Sequence, residues 1–187
     1  MNHVDPAQDR GYSIVSLSTL LEYLGEEKTS NILSSFKSRM ESDTETFLRE
    51  KAIEMERRDI SRTYIGLSSD GISILGYVTV SIKCLRVPDD NCLSNEALEK
   101  MNIDGATGIA QSYLIGQLSR SKDSPRGFGS VLMEVALRQL TVSKSAVGCR
   151  LVRLDCYEEL IPYYGGHGFR PITRNDDGTL NQMMRLI

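Results

Sequence analysis

The sequence predicts an α/β domain with a mixed central β-sheet flanked by helices, and three observations support this prediction. Apolar residues at helical spacing dominate the chain up to about residue 58. Two runs rich in β-forming residues follow, and from residue 113 onward strands and helices alternate as β–α–β–α–β–β. This order is typical of a sheet whose faces are covered by helices. The 187 residues fit one domain, and we expect residues 1–187 to form a single domain.

The N-terminal part of this domain, from about residue 13 to residue 58, is predicted to be helical. Leucines recur at helical spacing before Gly25, which provides a stop. Ser42 and Glu45 match a capping box, in which a hydroxyl cap and a glutamate three residues later satisfy each other's backbone groups. We therefore expect a helix to begin at Ser42 and to reach about Arg58.

Two strands are predicted next, over residues 62–67 and 72–85, and Ser69-Asp70-Gly71 forms the turn between them. Gly76 interrupts the second strand and predicts a bulge. Alternation of apolar and polar residues predicts one buried face, made of Val78, Val80, Ile82 and Cys84.

The elements expected after these strands are shorter. They are a helix over residues 93–101, a strand over 150–155, a helix over 158–165 and strands over 168–172 and 183–187. Residues 176–178 read as the hairpin turn between the last two strands.

Composition and charge narrow the class of protein. The hydrophobic fraction of 40% and the charged fraction of 25% are ordinary for a globular domain. The net charge of −3 excludes a basic field over the whole molecule, although a local basic patch is compatible with it. The chain has no signal-peptide pattern and no uncharged apolar run of membrane-spanning length, so we expect a cytoplasmic protein without membrane contact.

The cysteine and histidine pattern predicts no metal site. The four cysteines form no C-x-x-C pair, and the two histidines, His3 and His167, lie far apart in sequence. Three of the cysteines stand in apolar, strand-like surroundings, where cysteine is usually a small core residue. The four cysteines are Cys84, Cys92, Cys149 and Cys156.

The most informative stretch is the strand, loop and helix between Tyr113 and Leu140. A strand over residues 113–118 leads into a polar loop over 119–126, and Gly127-Phe128-Gly129 stands where the next helix should begin. A helix start carries unpaired N–H groups and partial positive charge, and glycine lets an anion approach the backbone closely. The pattern therefore predicts a phosphate site, although the same glycines are also typical of an ordinary strand-to-helix turn. The nearby basic residues are Arg120, Lys122 and Arg126.

A second motif lies near the C-terminus, where residues 163–169 read Y-Y-x-x-x-G-F at the end of a short helix. Together with the glycine-bearing loop, about forty residues upstream, it resembles the GNAT superfamily of acetyl-CoA-dependent N-acetyltransferases. The resemblance covers roughly residues 60 to 187. It implies a GNAT-like three-layer fold, in which a mixed central sheet is flanked by helices.

The resemblance implies that acetyl-CoA is the co-substrate. The pyrophosphate would meet the residues from Arg126 to Ser130, and the pantetheine would pair with backbone near Leu118 and Arg120. The family's Gln or Arg at the first loop position is replaced by Ser124, which leaves the side-chain contacts to phosphate open. The implied cofactor-binding residues are Leu118, Ser119, Arg120, Ser124, Arg126, Gly127, Phe128, Gly129 and Ser130.

The resemblance also implies that Tyr164 is the general acid that protonates the leaving thiolate. An aromatic residue that anchors a short helix is the other interpretation of Tyr164. We expect the preceding Tyr163 to lie in the core and His167 to lie in a solvated turn. The general base stays open between Glu158, Glu159 and a water molecule.

Three functions follow from this interpretation. The first is transfer of acetyl to a primary amine of a small molecule, peptide or protein. The second rests on a narrower resemblance to the toxin-type GNAT proteins of toxin–antitoxin pairs, which acetylate aminoacyl-tRNA. The third is a CoA-binding module without turnover. A homodimer through the C-terminal strands is common in the family. The narrower resemblance rests on Ser35-Phe36-Lys37, Phe47-Leu48, Ala52, Ser61-Arg62-Thr63-Tyr64, Leu75-Gly76-Tyr77 and Ile115-Gly116-Gln117-Leu118.

Overall fold

The computed structural model describes residues 11–40, 43–88, 91, 93–175 and 177–187. Ser42 of the expected capping box, His3, Cys92 and Asp176 of the expected hairpin turn lie outside the described residues. None of the described helices is long and apolar enough to cross a membrane.

The elements of the N-terminal half range from 2 to 18 residues in length. The strands are β1 (Tyr12–Ser16), β2 (Ser61–Ser68), β3 (Ile74–Ile82) and β4 (Leu85–Arg86). The helices are α1 (Leu17–Ser34), α2 (Asp43–Thr46), a π-helical turn (Phe47–Lys51), α3 (Ala52–Arg57) and α4 (Asn95–Lys100).

The C-terminal half contains the repeating strand and helix pattern that the sequence predicts. Its strands are β5 (Ile109–Ala110), β6 (Tyr113–Arg120), β7 (Leu151–Cys156), β8 (Arg170–Arg174) and β9 (Asn181–Leu186). Its helices are α5 (Phe128–Val147), a 3₁₀ turn (Glu158–Leu160) and α6 (Ile161–Gly166).

Seven of these strands form one mixed sheet in the order β1-β2-β3-β6-β7-β9-β8. β1 runs antiparallel to β2, β6 runs parallel to β7, and β9 runs antiparallel to both β7 and β8. The prediction of an α/β fold with a mixed sheet is therefore confirmed. β4 begins at the last residue of the predicted strand 72–85, no element was predicted for β5, and the two form a separate two-stranded ladder.

The chain divides into two compact units, of which the first comprises Met1–Val78 and Leu118–Leu132. Its core packs α1 and the helical segment after it against β2 and β3. The buried members of this core are Leu17, Leu20, Leu33, Phe36, Leu48, Ala52, Ile65, Leu67, Ile74 and Tyr77.

The second unit comprises Thr79–Gln117 and Met133–Ile187. Its core joins the β4–β5 ladder and the residue after α4 to β7, β8 and β9. Its buried members are Leu85, Val87, Met101, Ala110, Leu151, Ile172 and Met184. Whether the whole chain is one domain stays a prediction.

The helical region begins later than the sequence predicts. Residues 13–16, expected to be helical, belong to β1, which pairs antiparallel with β2 from Tyr12 to Ser16. These hydrogen bonds come from residues some fifty positions away, so local spacing could not indicate them. Ser16 then caps α1, because its side chain accepts the N–H of Thr19 at 3.1 Å.

The predicted stop at Gly25 is confirmed as a break in the helical backbone. Gly25 has φ 76° and ψ 169°, and helical conformation resumes directly after it and continues to Ser34. Of the predicted capping box, the glutamate is described: Glu45 Oε2 accepts the backbone N–H of Ser38 at 2.7 Å.

β3 is buried on both faces over most of its length, although only one buried face was expected. Every residue from Ile74 to Val80 is buried, including Thr79, because β3 is an interior strand of the sheet. The strand then ends at Ile82, which is 72% exposed, and Cys84 is exposed as well. The predicted burial of Ile82 and Cys84 is therefore wrong, since the alternation continues beyond the end of the strand.

Candidate functional site

The end of β6, the loop that follows it and the start of α5 belong to the first unit, which includes Leu118–Leu132. The backbone remains hydrogen-bonded to β3 just beyond the end of β6. Ser121 N–H donates to the carbonyl of Leu75 at 2.8 Å. Gly76 explains how closely these two backbones approach, since a Cβ there would lie 2.6 Å from the carbonyl oxygen of Ser119. Gly76 thus permits close packing of two strands where the sequence analysis predicted a bulge.

The loop after β6 is closed by its own serines. Ser124 Oγ donates to the carbonyl of Ser121 at 2.8 Å, and Asp123 N–H donates to Ser121 Oγ at 3.2 Å. Because a hydroxyl has one hydrogen to donate, Ser124 cannot also donate to a phosphate while it closes the loop. Ser124 therefore shapes the loop, at the position where the GNAT motif considered above has Gln or Arg.

The start of α5 has the tight backbone that the glycines predict. Gly127 has φ +83°, which is the left-handed region that favours glycine. Phe128 N–H donates to Pro125 at 3.1 Å and Ser130 N–H donates to Gly127 at 2.9 Å. The N–H groups of Gly127 and Gly129 form no backbone hydrogen bond with the described part of the chain. These two amides and the positive end of a 20-residue helix can therefore receive an anion.

Phe128 fixes the position of this helix start. Its side chain is 1% exposed, and its ring meets that of Tyr12 edge-on at a centroid distance of 5.1 Å. It also fills the space above Gly66, where a Cβ would lie 2.5 Å from the ring. The side chain of Phe128 is thus a structural anchor, and only its backbone can face a ligand.

The backbone edge of β6 that faces away from β3 is partly occupied. Residues 119 and 121 direct their backbone groups toward β3, so Leu118 and Arg120 direct theirs to the opposite side. On that side the carbonyl of Arg120 accepts the N–H of Arg39 at 2.9 Å. Of the described residues, only Tyr113 and Leu114 of β6 pair with β7. Leu118 therefore retains the backbone groups that could pair with an extended ligand.

The side chain of Ser119 is engaged inside the protein. Ser119 is 6% exposed, and its hydroxyl lies 2.9 Å from the hydroxyl of Ser38.

The nine predicted cofactor-binding residues differ in exposure, although they lie close together in sequence. Arg126 and Gly127 are exposed, Ser119 and Phe128 are buried, and Leu118, Arg120, Ser124, Gly129 and Ser130 are half-buried.

Tyr164 lies in the second unit, in α6, and it is 8% exposed. Its ring meets those of Tyr163 and Phe169 edge-on, at centroid distances of 5.0 and 6.2 Å. Burial raises the pKa of Tyr164 well above the usual value for a phenol, so its hydroxyl is protonated at neutral pH. Tyr163 is only half-buried, so its predicted core position is wrong: the inward-facing residue of the pair is Tyr164.

The turn after α6 positions Phe169 beneath Tyr164. Phe169 N–H donates to the carbonyl of Tyr164 at 3.1 Å, which closes the turn around Gly168 at φ +80°. His167 is half-buried, and its carbonyl accepts the guanidinium of Arg185. Its ring lies against Tyr163 at a centroid distance of 4.9 Å, so the expectation of a solvated turn histidine is only partly correct.

The candidate bases are both at the surface. Glu158 Oε2 pairs with Arg174 at 2.7 Å, and Glu159 is exposed. The choice between these carboxylates and a water molecule stays open. Within the described residues, no group of three or more His, Cys, Asp or Glu side chains is arranged to hold a metal ion.

Two groups of buried or bonded residues, one in each unit, were not identified from the sequence. Ser38 and Arg39 bind the end of β6, although they carry no motif and lie some eighty positions upstream. Arg153 of β7 is 3% exposed and forms a two-pronged pair with Asp155 at 2.7 and 2.9 Å. No local signal in the sequence connects Ser38 to Ser119, whereas the i, i+2 spacing of Arg153 and Asp155 on a strand could have indicated their pairing.

Comparisons with known proteins give matches in structure alone. No protein-family model matches the chain, and no curated protein matches it in sequence. AtaT complexed with acetyl-methionyl-tRNAfMet is similar over 91% of this chain and 93% of its own, at 20% identity and a TM-score of 0.69. A tyrosine-to-phenylalanine mutant of KacT is similar over 92% and 94%, at 21% identity and a TM-score of 0.71.

A third match adds a bound co-substrate. A mutant AtaT toxin bound to the C-terminus of the antitoxin AtaR and to acetyl-CoA is similar over 82% of this chain and 84% of its own. The identity is 20% and the TM-score is 0.61. At such identities the likeness establishes the fold, and the predicted GNAT-like fold is confirmed.

Proposed function

We propose that this GNAT-fold chain is an acetyl-CoA-dependent N-acetyltransferase whose acceptor is the amino group of an aminoacyl-tRNA. The observation that carries the proposal is the likeness, over nine-tenths of both chains, to AtaT complexed with acetyl-methionyl-tRNAfMet. This likeness favours aminoacyl-tRNA as the acceptor over the amine of a small molecule, peptide or protein. The AtaT structure with acetyl-CoA supports the same co-substrate here.

The start of α5 supports the co-substrate part of the proposal. The amides of Gly127 and Gly129 and the helix dipole can receive the pyrophosphate, and the exposed guanidinium of Arg126 adds a charged donor. Since Ser124 closes the loop, backbone groups would supply most of the contacts to phosphate. The carbonyl of Arg120 is taken by Arg39, so the pantetheine would pair chiefly with the backbone of Leu118.

The reaction is a direct acyl transfer. The neutral amine attacks the thioester carbonyl carbon, the N–C bond forms, and the N–H of Leu118 donates to the developing oxyanion. The C–S bond then breaks, and Tyr164 donates its phenolic proton to the departing sulfur. The proton that the amine loses returns through a base or water to Tyr164, so the enzyme ends in its starting state. Burial suits Tyr164 to this role because the hydroxyl stays protonated until the thiolate forms.

A transfer assay tests the proposal. The purified chain is incubated with acetyl-CoA and with methionyl-tRNA, an uncharged tRNA or a panel of small primary amines, and thiol release and N-acetyl product are measured. We expect rapid acetylation of the charged tRNA and none without the aminoacyl group. Acetylation of small amines alone would overturn the tRNA acceptor. Thermal stabilisation by acetyl-CoA without turnover on any acceptor would favour the CoA-binding module.

A further inference from the structure

Residues 37–40, which follow α1, are bound to the end of β6 in the first unit. The N–H of Arg39 donates to the carbonyl of Arg120 at 2.9 Å, and Ser38 forms an antiparallel bridge with Ser121. These contacts lie on the edge of β6 that faces away from β3. Residues 37–40 are thus attached by a single isolated bridge beside the residues that we propose to present the thioester, and we call them the 37–40 segment.

Ser38 holds the 37–40 segment in place. Its side chain is 2% exposed, and its hydroxyl bonds to the buried hydroxyl of Ser119 at 2.9 Å. Its backbone N–H donates to Glu45 Oε2 at 2.7 Å. A residue with both its side chain and its N–H bonded inside the protein leaves its backbone little freedom.

Glu45 is itself fixed by Arg49 on the opposite side of the segment. Arg49 pairs with Glu45 Oε1 at 2.7 Å and donates through Nε to the carbonyl of Phe36 at 2.9 Å. Arg49 belongs to the π-helical turn Phe47–Lys51, an irregularity that often occurs near functional sites. The 37–40 segment is therefore braced from β6 on one side and from this turn on the other.

The bracing decides where the flanking side chains point. Because Ser38 faces inward, its neighbours Lys37 and Arg39 face solvent, and both are exposed. The loop that follows the same end of β6 adds further cations. Residues 37–40 and 118–130 together contain five basic side chains and one acidic side chain, whereas the whole chain has a net charge of −3. The basic members are Lys37, Arg39, Arg120, Lys122 and Arg126.

We infer that Lys37 and Arg39 bind phosphate groups of the acceptor, the phosphodiesters next to its aminoacyl end, and so determine acceptor specificity. The inference rests on the proposed function. Phosphate could come from two sources, the co-substrate or the nucleic acid. The start of α5 already offers amides and Arg126 to the pyrophosphate, whereas Lys37 and Arg39 belong to a different segment, which is bonded to the backbone of Arg120. The acceptor is therefore the source that these two side chains fit.

The test is the double variant Lys37→Gln with Arg39→Gln, which removes both charges and keeps the backbone bonds of the segment. Three quantities are measured: the Kd for uncharged tRNA, the Kd for acetyl-CoA, and kcat and KM with charged tRNA and with methionine methyl ester. We expect the Kd and KM for tRNA to rise at least about tenfold, with kcat little changed. The Kd for acetyl-CoA and the kinetics with the ester, which has no phosphate, should stay as in the wild type. The slope of log Kd against log salt should become shallower by about one for each lost contact.

The matched control is Lys28→Gln with Arg58→Gln, which removes the same two charge types from exposed positions of α1 and the end of α3. Unchanged tRNA binding in the 37/39 variant, or equal losses in both double variants, would overturn the inference. A weaker Kd for acetyl-CoA in the 37/39 variant would assign the two side chains to the co-substrate instead. Binding of tRNA by the wild type without acetylation would overturn the proposed function while leaving this binding comparison decisive.

Discussion

The loop before α5 and the helix that carries Tyr164 differ in how the fold supports them. At the loop, the groups that can hold a ligand are backbone amides and exposed cations, and the buried side chains of Ser119 and Phe128 only hold the backbone in shape. In α6 the group that can react is instead a side chain, the phenol of Tyr164, and burial raises its pKa. Under the proposed function, binding and chemistry depend on separate features, so variants of the loop should not reproduce the defect of variants at Tyr164.

The largest expected effect separates chemistry from binding at Tyr164. Tyr164→Phe removes the proton donor and keeps the ring that packs on Phe169, so kcat should fall about 100-fold or more. The Kd for acetyl-CoA and the Tm should stay close to those of the wild type. Tyr157→Phe, at an exposed tyrosine of the same region, is the matched control. Full activity of Tyr164→Phe would reduce Tyr164 to an aromatic anchor.

The next effect is on the backbone that supports the loop. Gly76→Ala places a Cβ 2.6 Å from the carbonyl of Ser119, so the two strands must separate. We expect a loss of about 1–3 kcal/mol in the free energy of unfolding, measured by urea denaturation. Gly105→Ala is the control, since no atom lies within 4 Å of a Cβ there. Equal stability of the two variants would show that the strands do not need this close contact.

A smaller effect tests the exposed charge at the loop. Arg126→Gln should raise the Kd for acetyl-CoA about tenfold, because a hydrogen bond to a charged group contributes about 1.5 kcal/mol. The kcat at saturating acetyl-CoA should not change, in contrast to Tyr164→Phe. Calorimetry gives the Kd, with Lys51→Gln as an exposed control of the same unit. An unchanged Kd in Arg126→Gln would leave phosphate binding to the backbone amides alone.

The smallest effect concerns Glu56, a buried carboxylate of the first unit that lies away from the loop motif. Its Oε2 accepts the N–H of Thr63 at 3.0 Å, while its Oε1 lies 3.6 Å from Arg62. Desolvation raises the pKa of Glu56 above its value in the unfolded chain. The stabilisation from the neutral form is therefore present at low pH and is lost as pH rises through the folded pKa.

Glu56→Gln should consequently remove part of this pH dependence, because the amide stays neutral and its oxygen can still accept from Thr63. The Tm of the variant should exceed that of the wild type increasingly as pH rises from 4 to 7, which differential scanning calorimetry measures. Glu54→Gln, at an exposed glutamate that pairs with Arg58, should not show this trend. A variant that is less stable than the wild type at pH 7 would show that the Arg62 contact outweighs desolvation.

Much of the fold and of the candidate site follows from local sequence. The break at Gly25, the strands before and after Gly71 and the tight turn at Gly127 could be predicted, because glycine conformation and residue spacing act within a few residues. The Y-Y-x-x-x-G-F motif likewise indicated α6 and its turn. It could not show which tyrosine of the pair faces inward, since the phase of a one-turn helix depends on what it packs against.

The sequence by itself therefore determined the order of the elements, the glycine-bearing helix start and the residues of both motifs, because each depends on short-range geometry. The tertiary structure alone decided that residues 12–16 pair as a strand, that Ile82 and Cys84 are exposed, and that Ser38 and Arg39 bind the end of β6. These features depend on hydrogen bonds and burial between segments far apart in sequence. Pairing of that kind leaves no periodic pattern in either segment alone. The contacts of the 37–40 segment with β6 could therefore be identified only in the folded chain.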